Sequence, residues 1–141
     1  MSQFNGIAYT DYLSKIHAQS FVTPWTKESF FSLLKLSTTF GFLEEGAFIL
    51  CSDLGQDIEI LTLAVCPEYR RKGLATKLLK NVQHFAKKHN KQHIFLEVNV
   101  QNEAAKSLYI KNGFFQTGVR KNYYHEPQGI NDALCFVWNK D

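Results

Sequence analysis

Between two patterned stretches the sequence runs Val65-Cys66-Pro67-Glu68-Tyr69-Arg70-Arg71-Lys72-Gly73-Leu74-Ala75, joining an apolar run to an amphipathic one. A helix that begins here presents unpaired backbone N–H groups and a partial positive charge, and Gly73 lets an anion come close to them. Arg70, Arg71 and Lys72 add formal charge beside those amides. The ligand such a loop suits is a diphosphate. Three adjacent basic residues taken alone describe a solvated turn at least as well; the strand-loop-helix setting is what favours a phosphate cradle. The spacing matches neither G-x-x-x-x-G-K-[ST] nor G-x-G-x-x-G, whose required glycines are missing. No metal chemistry is expected, since His84, His89 and His93 form no i, i+4 pair on one helix and His17 and His125 stand alone. Cys51, Cys66 and Cys135 show no paired spacing and read as small core residues in a reducing compartment.

The elements that must hold this loop can be read on both sides of it. Upstream, Thr10 is the expected cap of a first helix through Leu13 and Ile16, and Thr26 that of a second through Phe30 and Leu34. Thr39–Leu43 and Ala47–Cys51 read as a hairpin turning at Glu44-Glu45-Gly46, and Ile58–Val65 as a central strand covered on both faces. Downstream, Leu74, Leu78, Leu79, Val82 and Ala86 follow helical spacing to about Asn90. In the next segment Ile94, Leu96, Val98 and Val100 alternate with Phe95, Glu97 and Asn99, so Glu97 lies on the face opposite the aliphatic set. Asn102 is expected to cap a helix through Tyr109 that ends at Asn112-Gly113, and Phe115–Tyr124 and Ala133–Trp138 close the chain as two strands around Pro127-Gln128-Gly129. The sum is an α/β fold with a mixed sheet.

In that setting Arg70-x-x-Gly73-x-Ala75 resembles the acetyl-coenzyme A signature of the GNAT N-acetyltransferases. The likeness extends through Leu96-Glu97-Val98, Asn102, Ala104-Ala105, Leu108-Tyr109, Gly113-Phe114, Arg120 to Tyr124 and Asp132-Ala133, and with Pro24-Trp25 it is nearest to the ribosomal-protein alanine N-acetyltransferase subfamily. Asn99 and Gln101 depart from it, standing where that subfamily usually has Arg and Ser. The resemblance implies a mostly antiparallel central sheet flanked by helices on both faces, a single domain over residues 1–141, and acetyl-CoA as co-substrate without a metal. It also implies roles. Leu63, Ala64 and Val65 would hydrogen-bond the pantetheine, Arg71 to Thr76 (Arg71, Lys72, Gly73, Leu74, Ala75, Thr76) would bind the pyrophosphate with Arg70 also counted as cofactor-binding, and Asn102 would touch the cofactor arm. Glu97 would be the general base and Tyr109 the general acid.

Those types suit acetyl transfer, which needs a neutral amine, a polarised thioester and a proton for the departing thiolate. An α-amine of pKa about 8 is roughly a tenth neutral at pH 7, whereas a lysine near 10.4 is neutral at less than one part in a thousand. An N-terminal α-amine therefore asks less of the base, and the resemblance implies a protein N-terminal α-amine as acceptor, the alanine of a small-subunit ribosomal protein. A GNAT enzyme for lysine, a polyamine or another small amine is the first alternative, and a non-catalytic acetyl-CoA-binding module the second. Asn122-Tyr123-Tyr124 and Pro24-Trp25 favour the peptide, and retention of Glu97 with Tyr109 speaks against the module. With 141 residues and 16 − 13 = +3 net charge, the chain suits one core and offers too little positive charge for direct nucleic-acid binding. No apolar run is long enough for a membrane span and no signal peptide is recognisable, so a cytoplasmic location is expected.

Overall fold

The computed structural model describes residues 2–141. In chain order it contains β1 (Ser2–Phe4), a 3-10 turn (Ile7–Tyr9), α1 (Thr10–Ser20), α2 (Lys27–Leu34), β2 (Thr39–Glu44), β3 (Ala47–Asp53) and β4 (Asp57–Val65). After a second 3-10 turn (Pro67–Tyr69) come α3 (Leu74–Lys88), β5 (His93–Asn99), α4 (Glu103–Lys111), β6 (Phe115–Glu126) and β7 (Gly129–Asn139). The strands form one sheet in the order β1-β2-β3-β4-β5-β7-β6. Every neighbouring pair is antiparallel except β4 and β5. This is the mixed, mostly antiparallel sheet expected.

Local chemistry explains most boundaries. Thr26 Oγ1 accepts the Ser29 N–H at 3.1 Å and starts α2, and Asn102 Oδ1 accepts the Ala105 N–H at 3.1 Å and starts α4. Thr10 does not cap α1. It is the helix's first residue, and its hydroxyl donates to the Ile7 carbonyl at 2.7 Å because the 3-10 turn runs directly into the helix and leaves Tyr9 at the cap position. The last two strands run longer than their apolar residues indicate, turning only at Pro127-Gln128. β1 has no counterpart in the sequence reading; its Phe4 pairs with Gly41, where a Cβ would lie 2.2 Å from the Ile49 carbonyl oxygen and 2.7 Å from the Phe4 ring. Only glycine lets that ring seal the edge.

Two cores sandwich the sheet. Leu78, Leu79, Val82 and Ala86 of α3 and Tyr109 of α4 pack on one face, against Ile49, Ile58, Ile60, Ile94, Leu96, Val98, Leu134 and Phe136. Leu13 and Ile16 of α1 and Phe30 and Leu34 of α2 pack on the other, against Phe4, Phe48, Leu50 and Ala64. That second core takes no residue from β5, β6 or β7 among the described residues, so those three strands are covered on one face only.

Candidate active site

The site begins with a defect in the sheet. β4 and β5 pair only at Asp57 with His93, Ile58 with Ile94 and Glu59 with Phe95; beyond that β4 runs on to Val65 and β5 to Asn99 without pairing. A bulge accounts for the divergence. Leu50 of β3 opposes Thr62 and Cys51 opposes Ile60, which leaves Leu61 unpaired and sharpens the local twist. The side-chain alternation shifts with it: Ile58 and Ile60 face the α3 core, Leu61 the opposite core, and Leu63 and Val65 the α3 core again. Leu63, Ala64 and Val65 thus carry an unpaired backbone edge in the middle of a sheet, a template for any extended polar chain laid along it.

The same strand delivers the loop. Arg71 and Gly73 both adopt left-handed backbone, with φ of 63° and 76°. Gly73 occupies the cap of α3 without a side chain, and no acidic residue lies in the first turn, so the amides of Leu74, Ala75 and Thr76 are uncapped and uncompensated. A Cβ on Gly73 would enter open space rather than protein, although the left-handed backbone itself disfavours one. Arg70 is placed differently from its neighbours. Its Nε donates to the Val65 carbonyl at 3.0 Å and its Nη2 to the Ser20 carbonyl at 3.3 Å, so it fastens the loop to β4 and to the end of α1. Lys72 Nζ rests 5.3 Å from the Tyr69 ring centroid.

Glu97 lies on the uncovered face of β5, opposite Cys135 of β7. Its carboxylate is engaged. Arg120 Nη1 donates to Oε1 at 3.1 Å and to Oε2 at 2.9 Å, and the Cys135 thiol lies 3.8 Å from Oε2. Burial, and then the Glu97 charge, hold that thiol above its usual range. Arg120 is itself stacked on Tyr123, 4.1 Å from the ring centroid. A wide bulge makes this possible: Lys121, Asn122 and Tyr123 of β6 together oppose Asp132 of β7, with Asn122 at φ 53° and its N–H donating to Asp132 Oδ1 at 2.8 Å.

Tyr109 occupies the other face, buried on α4 in an edge-on contact with Phe114 at 5.5 Å. Desolvation, with Cys51 and Tyr124 nearby, pushes its hydroxyl above the ordinary tyrosine range, so it holds its proton at neutral pH. Tyr124 is pushed up to about 12, first by burial and then by Tyr123 and Glu97. It is thus coupled electrostatically to Glu97 as well as to Tyr109. Asn102 stands between β5 and α4 with its side-chain oxygen committed to the cap.

An unpaired strand edge leading into an uncapped helix start, with a carboxylate on one face and a protonated tyrosine on the other, is a site for a long anionic acyl carrier. The pattern of the acetyltransferase (GNAT) family matches residues 10–114. The chain belongs to this family.

Among GNAT relatives, a Bacillus subtilis protein named provisionally as a [ribosomal protein bS18]-alanine N-acetyltransferase is 35% identical over 134 residues, covering 91% of this chain and 87% of that protein. The solved ribosomal-protein-S18-alanine N-acetyltransferase from Escherichia coli superposes with a TM-score of 0.89 at 25% identity, covering 99% of this chain and 94% of that one. Arabidopsis thaliana NAA60, solved in complex with acetyl-CoA, shares the fold with a TM-score of 0.78 at 17% identity over 98% of this chain and 99% of its own. The protein is an N-acetyltransferase of the GNAT fold.

A groove of about 520 Å³ between α1 and α2, lined by Ile7, Thr10, Asp11, Lys27 and Phe31, is remote from these groups. It contains an exposed Asp11–Lys27 pair and no acid–base constellation. Three residues grouped around Glu97 have no assigned role in the sequence reading: Arg120, Glu59 and Tyr124. Arg120 and Tyr124 fall inside the segment that carries the family resemblance, so that signal was present. Glu59 stands out only once strand pairing puts it beside Glu97. No group of three potential metal ligands occurs among the described residues, and none of their helices is long and apolar enough to cross a membrane.

Proposed function

We propose that the chain transfers the acetyl group of acetyl-CoA to a protein N-terminal α-amine, the alanine of ribosomal protein bS18, with residues 1–141 acting as one domain. The observation that carries this reading is the β4–β5 opening, which ends at the uncapped start of α3 and has Glu97 and Tyr109 on its two sides. In it, the Leu63–Val65 edge hydrogen-bonds the pantetheine, the amides from Arg71 to Thr76 receive the diphosphate, Arg70 keeps the loop in place, and Asn102 offers its amide NH₂ to the cofactor arm. Glu97 accepts a proton from the acceptor ammonium, directly or through water. The amine lone pair then attacks the thioester carbon, the C–S bond breaks as Tyr109 donates its hydroxyl proton to the thiolate, and the attacking nitrogen gives up its remaining extra proton through water, which reprotonates Tyr109 and leaves a neutral amide. The raised affinity of Tyr109 for its proton suits a donor that stays loaded at neutral pH. The names of the relatives supply the acceptor, and the lower pKa of an α-amine makes it the easier substrate for a single carboxylate base.

Mass spectrometry of an Ala-initial bS18 peptide incubated with acetyl-CoA tests this, with a peptide blocked at its N-terminus but carrying lysine as the control. One acetyl group on the α-nitrogen and none on lysine is expected. Glu97→Gln should lower the rate by about a hundredfold or more near neutral pH, with partial recovery near the α-amine pKa of about 8. Acetylation of lysine alone would contradict the reading.

A further inference from the structure

The uncovered face of the sheet carries two neighbouring carboxylates, and only one has a partner. Both oxygens of Glu97 already accept from Arg120 Nη1, and the guanidinium is held on Tyr123. Glu59 is the last residue of β4 paired with β5, opposite Phe95. Paired residues share a face and so do residues two apart, so Glu59, Phe95 and Glu97 project from the same side at the vertex of the opening. Glu59 is half-buried and makes no hydrogen bond or ion pair among the described residues. Burial and the Glu97 charge hold its carboxyl above the ordinary range, with Arg120 opposing them. Two carboxylates and one guanidinium leave a single uncompensated negative charge beside the place where the acyl group would be presented.

A strand glutamate in this position does nothing for stability. It faces a neighbour of like charge and is partly removed from water without a donor, an arrangement that costs free energy. Its charge, position and lack of a partner fit a cation that arrives from outside. We propose that Glu59 receives the acceptor's ammonium, docking the amine at the vertex of the β4–β5 opening beside Glu97. This rests on the acetyl-transfer reading and adds a substrate-binding residue to it. Glu59 stays a carboxylate throughout: one N–H of the acceptor donates to it, and the proton lost before attack goes to Glu97, directly or through water. Phe95, exposed on the same face, gives the docked amine an apolar floor.

Steady-state kinetics with acetyl-CoA and the Ala-initial peptide, for wild type, Glu59→Gln and Glu59→Asp, test the assignment. Glu59→Gln should raise the peptide KM about tenfold or more, the loss expected for one charge-assisted hydrogen bond. Its kcat should stay within about threefold, its KM for acetyl-CoA should be unchanged, and its Tm should equal or exceed that of wild type. Glu59→Asp should recover part of the KM. A desamino version of the peptide, used as a competitive inhibitor, should bind wild type and Glu59→Gln alike, because it lacks the cation. Wild type that acetylates the peptide while Glu59→Gln keeps the wild-type KM would overturn the assignment alone, as would a desamino inhibitor weakened by the same factor as the substrate. Wild type that leaves every amine unacetylated would overturn the acetyl-transfer reading itself.

Discussion

The opening between β4 and β5 divides the sheet into halves built on different terms. The β1–β4 half is covered on both faces where α1 and α2 lie on it, and its buried imidazole is fully served: His17, 2% exposed, accepts the Trp25 N–H at Nδ1 (3.1 Å) and so donates from Nε2 to Thr62 Oγ1 (3.2 Å). Its ring is boxed by Phe21, Trp25 and Phe30 at centroid distances of 4.2, 5.1 and 5.3 Å. The β5–β7–β6 half is bare on one face, where Phe95 and Phe115 remain 39% and 48% exposed and Glu97 and Arg120 carry formal charge, with Glu59 of β4 at its border. Burying an imidazole demands that it be neutral and doubly hydrogen-bonded, and the closed half meets that demand. An uncompensated carboxylate persists only where water or a substrate can reach it, and the bare half offers such a place. Stability and chemistry are therefore concentrated on opposite sides of the opening.

Substitutions on the two sides should differ accordingly. Phe30 is 0% exposed at the junction of α2, α1 and β3, and Phe30→Ala should cost about 3–5 kcal/mol in urea unfolding. An equal loss from Phe95→Ala would erase the distinction between the halves. A middle-sized effect should come from pH. Burial lowers the His17 pKa from 6.5 to about 4, so the unfolded chain binds a proton that the folded chain refuses. The stability from this group is fully present above about pH 6.5, and it is lost as pH falls toward 4. Between pH 7 and pH 5 the loss should be about 2 kcal/mol. It should vanish in His17→Leu, and a His17-dependent gain in stability over that interval would contradict the aromatic box. The smallest effect belongs to the bare face, where Phe95→Ala should change stability by less than about 1 kcal/mol.

The division of labour was partly legible in the residues. The alternation through Ile94, Leu96 and Val98 put Glu97 on the free face, and the asparagine at 102 and glycine at 113 marked the bounds of the helix bearing Tyr109, because those signals are local. β1 escaped notice because three residues give no period, and what makes them a strand is Gly41, nearly forty residues away. Thr10 looked like a cap because its side chain has the right chemistry, but a preceding 3-10 turn took its hydroxyl. The bulges at Leu61 and at Thr117 have no compositional mark, yet the first splays β4 from β5 and the second, one extra residue between Gln116 and Gly118, turns Arg120 to the face of Glu97. Cys135, expected in the core with Cys51 and Cys66, is only partly buried and borders the site, since its strand is covered on one face.

The proposed acetyl transfer requires that acetyl-CoA lie along the unpaired edge of β4 and end on the start of α3. Amide hydrogen exchange with and without acetyl-CoA reads that placement residue by residue. Slowed exchange concentrated in Leu61–Val65 and in Gly73–Thr76, with β1, β2 and α2 unchanged, is the predicted result. Exchange that slows instead around the groove between α1 and α2, near Asp11 and Lys27, or that is unchanged in both segments at saturating acetyl-CoA, would contradict it.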